Sequence, residues 1–181
     1  PLLPLVTFSY AIMAAERGLW VGPFFAEVYN LDPIERGNAT LVFAIALSAG
    51  ALLYGPLDQM FKTRKWITVL GSTLTTLGFG ALAVWPSPSV STSTSLLAFV
   101  GVTGMTYAVL MAHGRAFLPD HLLGRGITFL NFLFIGGTVV IQLVSGWYVD
   151  LMRSAGRSAV ETYSYLHMGF AVCLLVTTLI Y

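Results

Sequence analysis

Apolar residues run through this chain in long blocks, without the alternation of a half-buried strand and with charges confined mostly to narrow breaks. The block from Asn38 to Leu57 contains no Asp, Glu, Lys, Arg or His. At about 1.5 Å of rise per residue such a block makes a helix roughly 30 Å long, the thickness of a bilayer's hydrocarbon layer. The same reading predicts six spans, at 3–29, 38–61, 66–85, 96–116, 126–150 and 162–180. Each is expected to be α-helical, because hydrocarbon offers a backbone N–H or C=O no partner and a helix satisfies both within its own segment. The breaks fall at Asp32-Pro33, at a charged stretch over 58–65, at Trp85-Pro86-Ser87-Pro88, at Leu118-Pro119-Asp120 and over 153–161. Connections this short make sequential spans neighbours.

Composition agrees with a bilayer and excludes several classes. Charged residues make up 9% of the chain against about 25% for a soluble domain. A net charge of +1, with no basic cluster interleaved with aromatics, argues against nucleic acid as a partner. Cys173 is alone, so no internal disulfide is possible. His113 and His167 are read as lying near span ends. Neither has a second ligand at the i+3 or i+4 spacing of a helical metal site, so packing is expected and no metal or cofactor. There is no His-Glu-x-x-His, no Cys-x-x-Cys and no convergence of catalytic groups, which argues against an enzyme. The apolar start at Pro1-Leu2-Leu3-Pro4, without an initiator methionine, reads as a fragment whose upstream portion is missing.

Lys and Arg set the expected orientation. Lys62, Arg64, Lys65, Arg115 and Arg125 share one side, against Arg36, Arg153 and Arg157 on the other. Five against three places the 58–65 stretch, and with it both chain ends, in the cytoplasm of a plasma or bacterial inner membrane. Gly55-x-x-Asp58 followed by Lys62 ends the second span, and Gly146-x-x-x-Asp150 followed by Arg153 ends the fifth. This echo on opposite faces is what an inverted three-plus-three repeat predicts.

Candidate chemistry lies in the spans. Glu16 and Arg17 fall near the middle of the first, where a charge costs about 2.5 to 3.5 kcal/mol on insertion scales. On a regular helix Glu16 shares a stripe with Ser9, Ile12, Trp20, Pro23 and Glu27, and Arg17 one with Tyr10 and Phe24. The two charges can line a wet cavity, Arg17 holding an anionic group and Glu16 carrying a proton, or form a structural ion pair with each other or with another helix. Asn131, Thr138, Gln142 and Ser145 fall on one face of the fifth span, a hydrogen-bonding wall or interhelical glue, with Gly136, Gly137 and Gly146 allowing close approach. Tyr107 is a further candidate for solute contact.

The stretch Tyr54 to Lys65 resembles the loop of the major facilitator superfamily, roughly Gly-x-x-x-Asp-x-x-x-Arg-Lys. Here Asp58 comes three residues after Gly55, and Arg64-Lys65 follow six and seven after the acid. Gly114-Arg115-Ala116-Phe117-Leu118-Pro119 and Gly124-Arg125-Gly126 are similar to the family's loop between its tenth and eleventh helices, and Tyr163 to Phe170 to the start of its twelfth. The resemblance covers nearly the whole chain, residues 1–181, as the C-terminal six-helix half of a twelve-helix transporter. It implies an all-α membrane fold, a missing N-terminal half as partner, and a first span, the family's seventh, that lines the path with Glu16, Arg17 and Trp20. It also implies a cytoplasmic gate of Asp58, Lys62, Arg64, Lys65, Arg115 and Arg125, with Asp58 latched on the N-terminus of the fifth span. The expected function is transport of a small solute by alternating access, secondary active, with a proton or sodium ion as coupling ion. A non-transporting receptor or assembly subunit on the same fold is the alternative, and a membrane-embedded enzyme a more distant one.

Overall fold

The structure, a computed structural model, describes residues 2–181, the side chains of Asp58 and Gln59 excepted. The regular secondary structure of the described residues is all helical, with no strand among them. The first span is α1 (Leu2–Ala15), a π-helical turn (Glu16–Trp20) and α2 (Val21–Tyr29). The second is α3 (Pro33–Phe61), the third α4 (Arg64–Val84), and the fourth α5 (Val90–Gly104) with α6 (Tyr107–Arg115). A 3₁₀ turn (Asp120–Leu122) leads into the fifth, α7 (Leu123–Ser154), and α8 (Ala159–Ile180) is the sixth. Five segments, all but the first span, are long and apolar enough to cross a bilayer as continuous stretches.

Helix ends differ from expectation where local chemistry extends them. α3 begins at Pro33, five residues before the predicted start. Asp32 Oδ1 accepts from the N–H groups of Ile34 and Glu35 at 2.8 and 2.9 Å, the Glu35 carboxylate accepts from the Asp32 N–H, and proline suits the first helical position. α5 begins at Val90 rather than Leu96 because Ser89 Oγ accepts from Thr92 N–H, and Ser158 with Glu161 forms the capping box that starts α8 at Ala159. The end of the second span falls where the sequence places it, at Phe61, with Gly55 and Pro56 inside the helix. The helix continues to Phe61 and stops where Lys62 turns into the left-handed region at φ 50°. The fourth span is not one helix but is interrupted at Met105-Thr106.

α1 packs along α7 and α8, α4 along α8, and α3 along α5. The central core joins Phe24 and Phe25 of α2, Phe43 of α3, Phe79 of α4, and Tyr163 and Phe170 of α8. Contact between α1 and α7 is closest at Gly137, where a Cβ would collide with the Thr7 carbonyl oxygen; Gly136 and Gly146 face open space. Between α5 and its neighbours α3 and α4, buried hydroxyls supply interhelical bonds. Tyr54 donates to the Thr103 carbonyl at 2.5 Å, and Thr75 donates to Thr103 Oγ1 at 3.0 Å.

Candidate functional site

The π turn shapes the middle of the first span. Five residues where a regular helix has fewer advance the chain by about one extra residue, which rotates everything after it by about 100°. The regular-helix stripe that joins Arg17 to Phe24 is therefore broken: Arg17 is exposed and Phe24 is completely buried. Glu16 and Arg17 do not share a cavity. Glu16 has no exposed surface and points into the bundle, while Arg17, Gly18 and Leu19 face outward.

The partner of Glu16 is on α8. His167 Nε2 lies 3.4 Å from Glu16 Oε1, and both side chains are fully buried. His167 is thus not near a helix end, as read from the sequence, but the ninth of the 22 residues of α8. Its ring is stacked 5.9 Å from Phe79 and meets Phe24 edge-on at 5.4 Å. Sequence spacing could not find this pair, because 151 residues separate its members. The one available signal was a histidine inside a span with no Asp, Glu, Lys or Arg.

The polar stripe of α7 follows the first span and α6. Trp20 Nε1 donates to Ser145 Oγ at 3.0 Å in a buried contact. Gln142 lies against Gly18, its amide nitrogen 3.9 Å from where a Cβ would stand. Nearer the chain's start, Tyr107 donates to Asn131 Oδ1 at 3.4 Å, and its ring meets Phe134 at 4.5 Å and Tyr10 at 5.4 Å. Thr138 returns its hydroxyl to the Phe134 carbonyl at 3.0 Å. Tyr107, Asn131, Thr138 and Gln142 are each partly exposed, on α6 and α7, and Arg17 is exposed on the π turn.

Of the residues expected at the gate, Arg64 and Arg115 come together, at the start of α4 and the end of α6. Arg64 Nη1 donates to the Ala112 carbonyl at 3.1 Å, tying the start of α4 to the end of α6. Arg64 and Arg115 line one cavity of about 650 Å³ with Asp120. Lys65 lines another of about 620 Å³ with Phe117 and His113, whose Nδ1 is hydrogen-bonded to the Tyr181 hydroxyl. Lys62 and Arg125 are exposed, Arg125 in the first turn of α7. The Asp58 side chain, expected to latch there, lies outside the described residues.

No family model matches the chain, and no curated protein matches it in sequence. Its structure is similar to that of the xylose transporter XylE from E. coli in an inward-open conformation, with a TM-score of 0.74 over 99% of this chain at 14% identity. The match takes in 45% of the transporter, so this chain spans less than half the length of the protein it resembles. In fold, the chain corresponds to a six-helix half of that transporter.

Proposed function

We propose that this chain is the C-terminal half of a secondary transporter that moves a small solute by alternating access, with a polar strip led by Arg17 facing the solute path. The observation that carries the reading is the exposure of Arg17 at mid-span. A guanidinium facing lipid there is costly, whereas a water-filled path between two halves lets it stay charged. Gln142, Thr138, Asn131 and Tyr107 extend the strip with donors and acceptors suited to a polar solute. The three-plus-three inverted repeat, a proton as coupling ion and both chain ends in the cytoplasm belong to the same reading. So does the latch of Asp58 on the start of α7, a helix whose N-terminus has no side-chain cap of its own.

The test is counterflow in vesicles containing the whole transporter. It uses xylose, the sugar named for the protein of like fold, and a monocarboxylate, the class a lone arginine would hold. Losing a charge-assisted contact of about 1.5 to 3 kcal/mol predicts binding weaker by about ten- to a hundredfold in Arg17→Ala, with partial retention in Arg17→Lys. Unchanged flux in Arg17→Ala would remove the strip from the path. Binding without flux in the parent would favour the receptor on the same fold.

A further inference from the structure

Glu16 and His167 form a pair that the solute strip does not use. Both are fully buried, and their second polar atoms, Glu16 Oε2 and His167 Nδ1, have no hydrogen-bond partner among the described residues. The surroundings are apolar: Phe24 from α2 and Phe79 from α4 flank the imidazole, and Phe170 closes on Phe79 at 5.5 Å. Other titratable groups on the packed elements stand apart. On α8 they are Cys173, Glu161, which lies 3.6 Å from Arg157, the exposed Tyr165, and Tyr163, beside the Glu27–Arg153 ion pair of α2 and α7. On α2 it is Tyr29, bonded to Ser93. α1 carries Tyr10, packed on Tyr107 and Phe134, and α7 also carries Tyr148 and Asp150. α3, α4 and α5 bring no Asp, Glu, Lys, Arg or His between Asn38 and Leu57, Trp66 and Val84, or Val90 and Gly104.

In such a wall the proton count of the pair decides its net charge. With one proton between them, carboxylate with imidazolium or carboxylic acid with imidazole, the pair is neutral. When that proton leaves to water, an uncompensated carboxylate remains in an apolar interior, which is strongly unfavourable. The nearest covalent route to relief is the π turn itself. Glu16 is its first residue and Arg17 its second, so a rotation that brings the carboxylate toward water or the guanidinium also moves Arg17 on the solute face. π turns inside α-helices have such an alternative at hand, since passing the extra residue along restores regular bonding. We propose that Glu16 and His167 form a buried site for one exchangeable proton, walled off from the solute path, whose occupancy sets the conformation of the π turn and thereby the position of Arg17. The inference rests on the transport reading in taking the face of Arg17 as the solute path and this proton as the coupling ion.

Trp20 closes the π turn and reports on it, since its buried indole donates to Ser145. The other tryptophans, Trp66, Trp85 and Trp147, are each more than 60% exposed and can be replaced by Phe. In the whole transporter carrying Trp20 alone, without solute, the emission maximum is followed against pH. The expected result is one transition to longer wavelength as pH rises, absent in Glu16→Gln and moved along the pH axis in His167→Gln. Because coupling is reciprocal, Arg17→Gln must also move it. A parent with no transition overturns the site, as does a transition at the same pH in both Glu16→Gln and His167→Gln. An unmoved transition in Arg17→Gln overturns the link to the solute face. Should one variant of the pair fail to fold, the other decides. Since no solute is present, failure here and failure of counterflow are separate results.

Discussion

Among single residues, the Trp20–Ser145 bond couples the π turn most directly to α7. A buried indole N–H without an acceptor costs about 1 to 3 kcal/mol, so Ser145→Ala is expected to lower stability by that amount. Trp20→Phe in the same background removes the orphaned donor, and the double variant should lose less than the two single losses added together. Thermal unfolding in detergent measures all three, and strict additivity would show that the bond contributes nothing. Ser145 and Trp20 were visible in the sequence as members of a polar stripe and of an aromatic position beside a charged pair. Their partnership was not, because it depends on the rotation that the π turn imposes. The same holds for Glu16. A carboxylate inside an apolar run announces that something compensates it, but only the fold places His167 of α8 opposite.

Among elements, the number and order of spans were legible because bilayer thickness imposes a length that uncharged blocks reveal directly. Interruptions inside spans were not, since neither the π turn nor the break at Met105-Thr106 is marked by proline. Glycines were only partly legible. Gly136 and Gly137 are adjacent and indistinguishable by composition, yet only Gly137 faces the Thr7 carbonyl across the α1–α7 contact. Gly137→Ala must push the helices apart, at the 1 to 3 kcal/mol typical of overpacking or about that much more, because backbone cannot move aside as a side chain does. Gly136→Ala meets open space and should gain about 0.5 to 1 kcal/mol from the lower entropy of its unfolded chain. Melting temperatures moving in opposite directions are the expected outcome, and similar losses in both variants would displace Gly137 from the closest point of the interface.

On the scale of the whole molecule, the outer surface separates lipid from water by chemistry. Along α7, Phe132, Ile135, Val139, Leu143 and Trp147 are each more than half exposed, and Leu70, Leu77 and Val84 repeat the pattern on α4 at seven-residue spacing. So much apolar surface is stable only against acyl chains or another protein half. Between the two ends the charges are unequal in kind as well as number. On the side of Arg36, Arg153 and Arg157, Arg153 pairs with Glu27 and Arg157 lies 3.6 Å from Glu161. The opposite side carries Lys62, Arg64, Lys65, Arg115 and Arg125, with Asp58 and Asp120 as its acids. The positive-inside rule counts Lys and Arg in short loops, with little weight for acids, and therefore predicts that the second side faces the cytoplasm. Two positions suit a test. Thr63 precedes α4 without capping it through its side chain, and Ser87 is exposed between Pro86 and Pro88. In a Cys173→Ser background, a cysteine at Thr63 should react with an impermeant maleimide only after the membrane is opened, and one at Ser87 in intact cells. The reverse pattern would invert the molecule, placing the arginines of the 650 Å³ cavity outside and requiring the gate to close on the external face.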